Sequence, residues 1–271
     1  MIFPESRFAF FRILPSGCTG ANSMTPAQAD FPYYNGRPVA IPDWQWLIVM
    51  AAVGCGFLAL TSGPPIFATR YGQFIAAFLF FAVPLAALAI ITPRYWTALF
   101  RRVRRRDIMW MFVFALLNIT VSSVVGFLVL KTVGANSNAA IAELAGMSAA
   151  DTALFFLKTA VQLFGEEVLT ILLFLALLNL LHARMQMSRT PAVIGAWLLS
   201  SLMFGAVHLS TYQWNLVQCL VVIGSARLVL TLPYLLTKNI WVSTGTHILN
   251  DWLLFAMSLL GQHLVKVPMP A

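Results

Sequence analysis

The sequence predicts an all-α integral membrane protein, a polytopic helical bundle of about seven to eight transmembrane helices. Of its 271 residues, 60% are hydrophobic and only 10% are charged, whereas a soluble domain carries about a quarter charged residues. The apolar residues come in long unbroken blocks and do not alternate as in an outer-membrane barrel. These observations exclude an ordinary soluble domain and a disordered chain, and they indicate a single helical membrane domain.

Seven apolar blocks follow an N-terminal region of mixed composition. Residues 1–43 are expected to form a loose cytoplasmic tail, residues 44–260 the transmembrane domain, and residues 261–271 a C-terminal tail. Most blocks are close to the ~20 residues that cross a bilayer core as a helix. The fourth block is longer, which fits a tilted helix or an interfacial helix that runs into a span. The blocks lie at residues 44–61, 73–92, 108–130, 152–182, 191–207, 212–236 and 240–260.

The positive charge of the chain is concentrated in one loop. The net charge is +8, and residues 94–106 contain six arginines. The positive-inside rule therefore places this loop and the N-terminus in the cytoplasm and the C-terminus outside. Because the charge lies in one short loop between apolar blocks, we expect a lipid bilayer and no nucleic acid as a partner. A multi-pass protein of a cell membrane is predicted, with a bacterial inner membrane as the expected location.

Ionisable side chains inside the apolar blocks occur only in the last four blocks. A charge at bilayer depth costs roughly 2.5–3.5 kcal/mol on insertion scales, so each one requires a reason. The first three blocks contain none and are expected to be scaffold, whereas the last four are expected to form a site. The residues concerned are Lys158, Glu166, Glu167, His208, Arg227, His247 and Asp251.

Helical spacing groups these residues into polar stripes, because residues four apart share one face of a helix. Glu167 is rotated by about 100° from the first stripe and belongs to another face. His208 lies one turn after Phe204, and Gly205 permits a close neighbour. The first stripe contains Lys158, Gln162, Glu166 and Thr170, and the second contains Ser243, His247 and Asp251, with Asn250 beside it.

The depths of three of these residues can be compared through the helical rise. Glu166 lies about 24 Å along its helix from His182, and His208 about 25 Å from Pro191, so both reach the same level. His247 lies only about 13 Å from the turn that precedes its helix. It reaches that level if its helix is offset or tilted, or if the turn at 237–239 dips inward.

Carboxylates and histidines in a membrane cavity can supply a general base and groups that stabilise an oxyanion. Glu166, His208 and His247 also form a credible set of zinc ligands. A hydrogen-bonded network that only fixes helix packing is one alternative. A b-type haem with His208 and His247 as axial ligands is another, but it leaves the carboxylates unexplained.

Three short motifs occur in order along the last four blocks. They are Glu166-Glu167, Phe204-Gly-Ala-Val-His208 and His247-Ile-Leu-Asn-Asp251. Their order resembles the CPBP intramembrane proteases, also called the CAAX prenyl protease 2 or ABI family, over about residues 150–255. The resemblance implies an intramembrane endopeptidase in which Glu166 activates water and His208 assists it. It also implies that His247 and Asp251 polarise the scissile carbonyl and that Glu167 supports the site.

The resemblance implies a membrane-associated protein or peptide as substrate: a prenylated tail, a bacteriocin-type leader or a membrane-anchored sorting tail. One position departs from the family, whose first motif usually has an arginine where this chain has Ile171. Arg227 is a candidate replacement, and an inactive relative or a transporter is the alternative that the departure favours. We favour a metal-free mechanism without a cofactor, because zinc would occupy the carboxylate that must act as base. Zinc remains the alternative.

Overall fold

The computed structural model describes residues 30–69, 71–144 and 146–265. Over these residues the chain forms eight α-helices and no β-strand, which confirms the predicted all-α class. The predicted tails at 1–29 and 266–271 lie outside the described residues. The helices are α1 (Asp43–Ser62), α2 (Gly72–Ile91), α3 (Arg105–Thr132), α4 (Ala139–Leu144), α5 (Ala149–Asn179), α6 (Arg189–Val207), α7 (Gly224–Thr237) and α8 (Ile240–Val265).

Six of the described helices are long and apolar enough to cross a membrane. They are α1, α2, α3, α5, α6, and α7 joined to the π-helical segment Gln218–Ile223. Helix α8 has 26 residues, but His247, Asn250 and Asp251 lower the mean hydropathy of its first half. Judged by length and hydropathy, the described helices therefore include six candidate spans, fewer than the seven to eight predicted. Helix α8 is not among them because it carries the polar side chains of the site.

Helix α5 is the central helix of the bundle. Its 31 residues are continuous, and a π-helical turn at Leu180–Arg184 extends it. In its most apolar stretch 61% of the residues are buried, whereas the corresponding share is 22% in α1 and in α3. The helix is long because it passes through the middle of the protein, where it contacts α1 and α2 on one side and α6 and α8 on the other.

The remaining helices form a second group around the same axis. Helix α3 packs against α7 and α8, and α6 packs against α5 and α7. Helices α3, α5, α6, α7 and α8 therefore surround one interior space. The pair α1 and α2 lies outside it, against α5.

Residues 30–42 belong to the folded protein, so the expectation of a loose tail is wrong for this stretch. Phe31, Tyr33 and Tyr34 are buried in the main apolar core. The Tyr33 hydroxyl donates a hydrogen bond to the Tyr95 carbonyl oxygen at 2.8 Å. Three aromatic side chains bury enough apolar area to hold an irregular segment against the helices.

The turn between α7 and α8 is covered by another part of the chain. Asn239 is only 2% exposed. Its side-chain amide donates to the carbonyl oxygen of Arg101 at 3.0 Å, and its amide oxygen accepts from the Arg101 backbone N–H at 3.1 Å. The arginine loop therefore covers the turn at which α8 begins.

Candidate active site

A cavity of about 420 Å³ lies between α3, α5, α6, α7 and α8. The structure brings four of the five predicted site residues together in its wall. The fifth, Glu167, is completely buried behind that wall. The four wall residues are Glu166, His208, His247 and Asp251.

The polar stripe on α5 faces the cavity as its spacing predicts. Lys158, Gln162 and Glu166 all line the wall. The Gln162 amide donates to Oε1 of Glu166 at 3.2 Å, which fixes the carboxylate along the helix. Gly165 lets the aromatic ring of Phe80 on α2 approach, since a Cβ atom there would meet this ring at 2.4 Å. This close contact holds the scaffold helix α2 directly behind Glu166.

Glu167 points away from Glu166 and forms a buried ion pair with Arg227 of α7. Arg227 Nη2 donates to Glu167 Oε1 at 2.5 Å, and both side chains are 0% exposed. The same carboxylate oxygen lies 2.9 Å from His247 Nδ1. Glu167 therefore connects α5 to both α7 and α8 and holds the Nδ1 edge of the His247 ring.

Arg227 contacts a residue of each of the three motifs. Besides Glu167, its guanidinium lies 4.8 Å from the Phe204 ring centroid and 3.4 Å from His247 Nδ1. Ile171, at the position where the family usually has an arginine, is fully buried in the apolar core. Arg227 is thus the cationic partner of Glu167 and comes from another helix, which is the role for which the sequence made it a candidate.

The ring of His247 is oriented by these contacts. Because a carboxylate oxygen only accepts, Nδ1 carries the proton and donates it to Glu167. Nε2 then faces the cavity, 3.9 Å from Glu166 Oε2 and 3.8 Å from Asp251 Oδ1. These distances are too long for direct hydrogen bonds and leave Nε2 directed at whatever occupies the cavity.

His208 directly follows α6, and its orientation is also fixed. Nδ1 donates to the carbonyl oxygen of Phe204 at 2.8 Å, so Nε2 is the nitrogen available for chemistry. The Phe204 ring lies between the two histidines, with ring centroids 4.6 Å from His208 and 6.5 Å from His247. At Gly205 a Cβ atom would lie 2.4 Å from the Cys219 carbonyl oxygen, so the predicted close neighbour is present.

Helix α3 contributes to the site, so the expectation that the first three spans are only scaffold is wrong for this helix. Asn118 Nδ2 donates to Asn250 Oδ1 at 3.0 Å, and Asn250 Nδ2 donates to Asp251 Oδ1 at 2.8 Å. The relay orients Asp251 from two helices. Asn118 and Ser122 stand four apart in an apolar block, a signal that a search limited to charged residues missed.

Tyr212 is a second residue that sequence reasoning missed. It is buried at the end of the cavity near α4. Its hydroxyl lies 3.3 Å from Asn138 Nδ2, and its carbonyl oxygen accepts from Asn136 Nδ2 at 2.7 Å. Burial raises the pKa of Tyr212 to about 12, and nearby Asp251 adds to the effect. Tyr212 remains a neutral phenol that joins the loop after α6 to the loop before α4.

The alternative zinc set is not assembled in the part of the chain that the structure describes. No group of three His, Cys, Asp or Glu side chains there has the arrangement of a metal site. The bond from His247 Nδ1 to Glu167 leaves Nε2 free and does not by itself exclude a metal. No step of the mechanism proposed below uses a metal.

Fold and cavity together define a helical membrane protein with buried carboxylates and histidines around one polar cavity. Residues 148–253 match the family model described as type II CAAX prenyl endopeptidase Rce1-like. This segment therefore carries an Rce1-like domain, in agreement with the resemblance predicted from the three motifs. The match includes all five predicted site residues and Arg227. Neither the curated proteins nor the solved structures contain a significant match.

Proposed function

We propose that this protein is a CAAX-type intramembrane endopeptidase that hydrolyses a peptide bond in a membrane-associated protein or peptide. One observation carries the proposal: Glu166 Oε2 and His247 Nε2 lie 3.9 Å apart across the cavity. A carboxylate oxygen and a histidine nitrogen at this distance can both hydrogen-bond to one water in the cavity, which places that water beside a general base. We expect the protein to act in a cell membrane, with a bacterial inner membrane as the proposed location.

In this mechanism Glu166 is the general base. Its carboxylate takes a proton from water, the water oxygen bonds to the carbonyl carbon, and the C–N bond then breaks as the leaving amine takes up that proton. His208 assists through Nε2. His247 as an imidazolium donates its Nε2–H to the carbonyl oxygen, and Asp251 donates from a protonated carboxyl oxygen. Glu167 and Arg227 act through His247 and are positioning residues.

The test is cleavage of a farnesylated CAAX-type peptide by the purified protein. Glu166→Gln keeps the side-chain volume but cannot accept the proton, so we expect the rate to fall by about 10²–10⁴-fold. Asp251→Asn is the matched control for losing a carboxylate in the same cavity. We expect a milder loss, because an amide still donates a hydrogen bond to an oxyanion. A Glu166→Gln protein as active as wild type would refute the mechanism.

The same preparation tests the zinc alternative. The metal-free mechanism predicts that activity survives removal of divalent metal by a chelator. If zinc were the catalyst, the metal would copurify with the wild type, chelation would inhibit it, and His208→Ala would lose the metal. Either of the first two results would replace the metal-free mechanism.

A further inference from the structure

Thr231 of α7 is a buried polar residue that the proposed mechanism does not use. It is 0% exposed and stands four residues, about one helical turn, after Arg227. Arg227 Nε donates to the Thr231 hydroxyl oxygen at 3.2 Å. The hydroxyl itself donates to the backbone carbonyl oxygen of Arg227 at 2.7 Å. The helix backbone therefore fixes the Thr231 side chain, and a lone pair of its oxygen is presented to the guanidinium group.

The guanidinium of Arg227 needs a second point of attachment, because its ion pair alone does not fix its orientation. One nitrogen, Nη2, bonds to one oxygen, Oε1, of Glu167 at 2.5 Å. Within the described part of the chain, Glu167 Oε2 has no hydrogen-bond partner. Two parallel hydrogen bonds would fix both planar groups, whereas a single bond permits rotation about it. The hydrogen bond from Nε to Thr231 supplies the second point.

The orientation of this guanidinium matters for the site because one carboxylate oxygen serves two partners. Glu167 Oε1 binds Arg227 and also accepts from His247 Nδ1 at 2.9 Å. A rotation of the guanidinium moves this oxygen, and the His247 ring moves with it. The opposite nitrogen of that ring, Nε2, is the one that faces Glu166 across the cavity at 3.9 Å.

We infer that Thr231 is a positioning residue of the reaction, an assignment that rests on the proposed function. Thr231 holds the guanidinium of Arg227, Arg227 holds the Glu167 carboxylate, and Glu167 holds the His247 ring. Thr231 acts only through these partners. Its hydroxyl therefore affects the rate of the chemical step more than the binding of substrate.

The first experiment measures cleavage of the farnesylated CAAX-type peptide by Thr231→Val, which keeps the branched shape but removes the hydroxyl. We expect kcat to fall about 10-fold, less than the roughly 10²-fold that a displacement of about 1 Å can cost. KM stays within about twofold of wild type, since the interaction acts on the transition state. Thr231→Ser keeps the hydroxyl and restores kcat. In Arg227→Met the change Thr231→Val has no further effect on kcat, because its partner is gone.

Thr237→Val is the matched control on the same helix. The Thr237 hydroxyl donates to the carbonyl oxygen of Pro233 at 2.7 Å, four residues earlier, as that of Thr231 does to Arg227. Thr237 lies about 15 Å along the helix from Arg227. The control therefore removes an equivalent hydrogen bond to the backbone far from the guanidinium, and we expect its kcat to equal that of wild type.

A second experiment tests the contact without cleavage, through thermal unfolding of the detergent-solubilised protein. In Thr231→Val the buried Nε–H of Arg227 is left without an acceptor, which should lower the Tm by roughly 5 °C. In Arg227→Met, which has no Nε–H, the same change should leave the Tm nearly unchanged. An equal loss of Tm in both backgrounds would show that Thr231 does not hold Arg227.

The outcomes separate this inference from the proposed function. If Thr231→Val cleaves as fast as wild type, or if Thr237→Val loses as much kcat, Thr231 does not position the site, although the protein is still a peptidase. If Thr231→Val does not fold on its own, Arg227→Met with and without that change decides, and an added loss of Tm there overturns the inference. If wild type cleaves no peptide while correctly folded, the proposed function fails and the role of Thr231 in the reaction fails with it, whereas the Tm comparison still decides the contact.

Discussion

The ion pair between Arg227 and Glu167 permits the sharpest test of how this site is held together. Both side chains are 0% exposed, and Arg227 also packs over Phe204. In Arg227→Met the methionine replaces part of the apolar stem, but the Glu167 carboxylate is left buried without its cation. Removing one partner of a buried pair costs about 3–5 kcal/mol.

The assay is thermal unfolding of the detergent-solubilised protein, together with the cleavage rate. A loss of this size lowers the Tm by on the order of 10 °C, since 1 kcal/mol shifts a domain of this length by about 2–4 °C. Arg106→Met removes an exposed arginine of α3 and is expected to leave the Tm unchanged. Cleavage by Arg227→Met falls as well, because Glu167 no longer holds His247 in place.

A double variant shows whether the loss of stability in Arg227→Met comes from the unpaired Glu167 carboxylate. Arg227→Met with Glu167→Leu buries neither charge, and replacing a buried pair by apolar residues is often neutral for stability. We expect the double variant to be more stable than Arg227→Met alone. The reasoning is refuted if the two changes add independently, or if Arg227→Met unfolds at the wild-type temperature.

Two further predictions concern the side of the protein that carries the arginine loop. The first is that residues 94–107 face the cytoplasm. A cysteine at Val103 should then resist a membrane-impermeant label in intact cells, whereas cysteines in 132–150 should react. Labelling at Val103 would overturn the orientation. The second prediction is that Asp30→Asn lowers the Tm by a few °C near neutral pH. Burial alone would raise the pKa of Asp30, but hydrogen bonds from Arg189 and Tyr34 lower it from 3.8 to about 2. The ionised carboxylate therefore stabilises the fold above about pH 4, and this contribution is lost as the pH falls toward about 2. The Tm difference between Asp30→Asn and wild type should shrink below about pH 4, and a difference that stays constant with pH would contradict the assignment.

The sequence predicts much of the site because ionisable residues in a membrane helix require partners. Glu166, His208 and His247 stand out against apolar neighbours, and four-residue spacing places them on faces that can meet. The different face predicted for Glu167 also agrees with the structure. The spacing of residues within a helix predicts reliably in which direction their side chains point, since that direction depends only on local helix geometry.

The parts that the sequence did not predict depend on contacts between distant segments. The sequence of residues 30–42 predicts a tail because its aromatic residues show neither a helical nor a strand period. In the structure, Phe31 and Tyr33 are nevertheless buried in the apolar core. The burial of Asn239 depends on Arg101, which lies 138 positions earlier in the chain. The residue pattern within one segment does not show which distant segment of the chain it will contact.

The departure at Ile171 changes which helices must be in place for the site to form. An arginine there would stand four residues after Glu167 and would pair with it inside α5. Here the partner comes from α7, and its guanidinium also contacts Phe204 near the end of α6 and His247 of α8. Glu167 is therefore neutralised only when α5 and α7 pack together. Because an unpaired Glu167 would be costly to bury, the orientation of His247 depends on the packing of α7 as well as on that of α5 and α8.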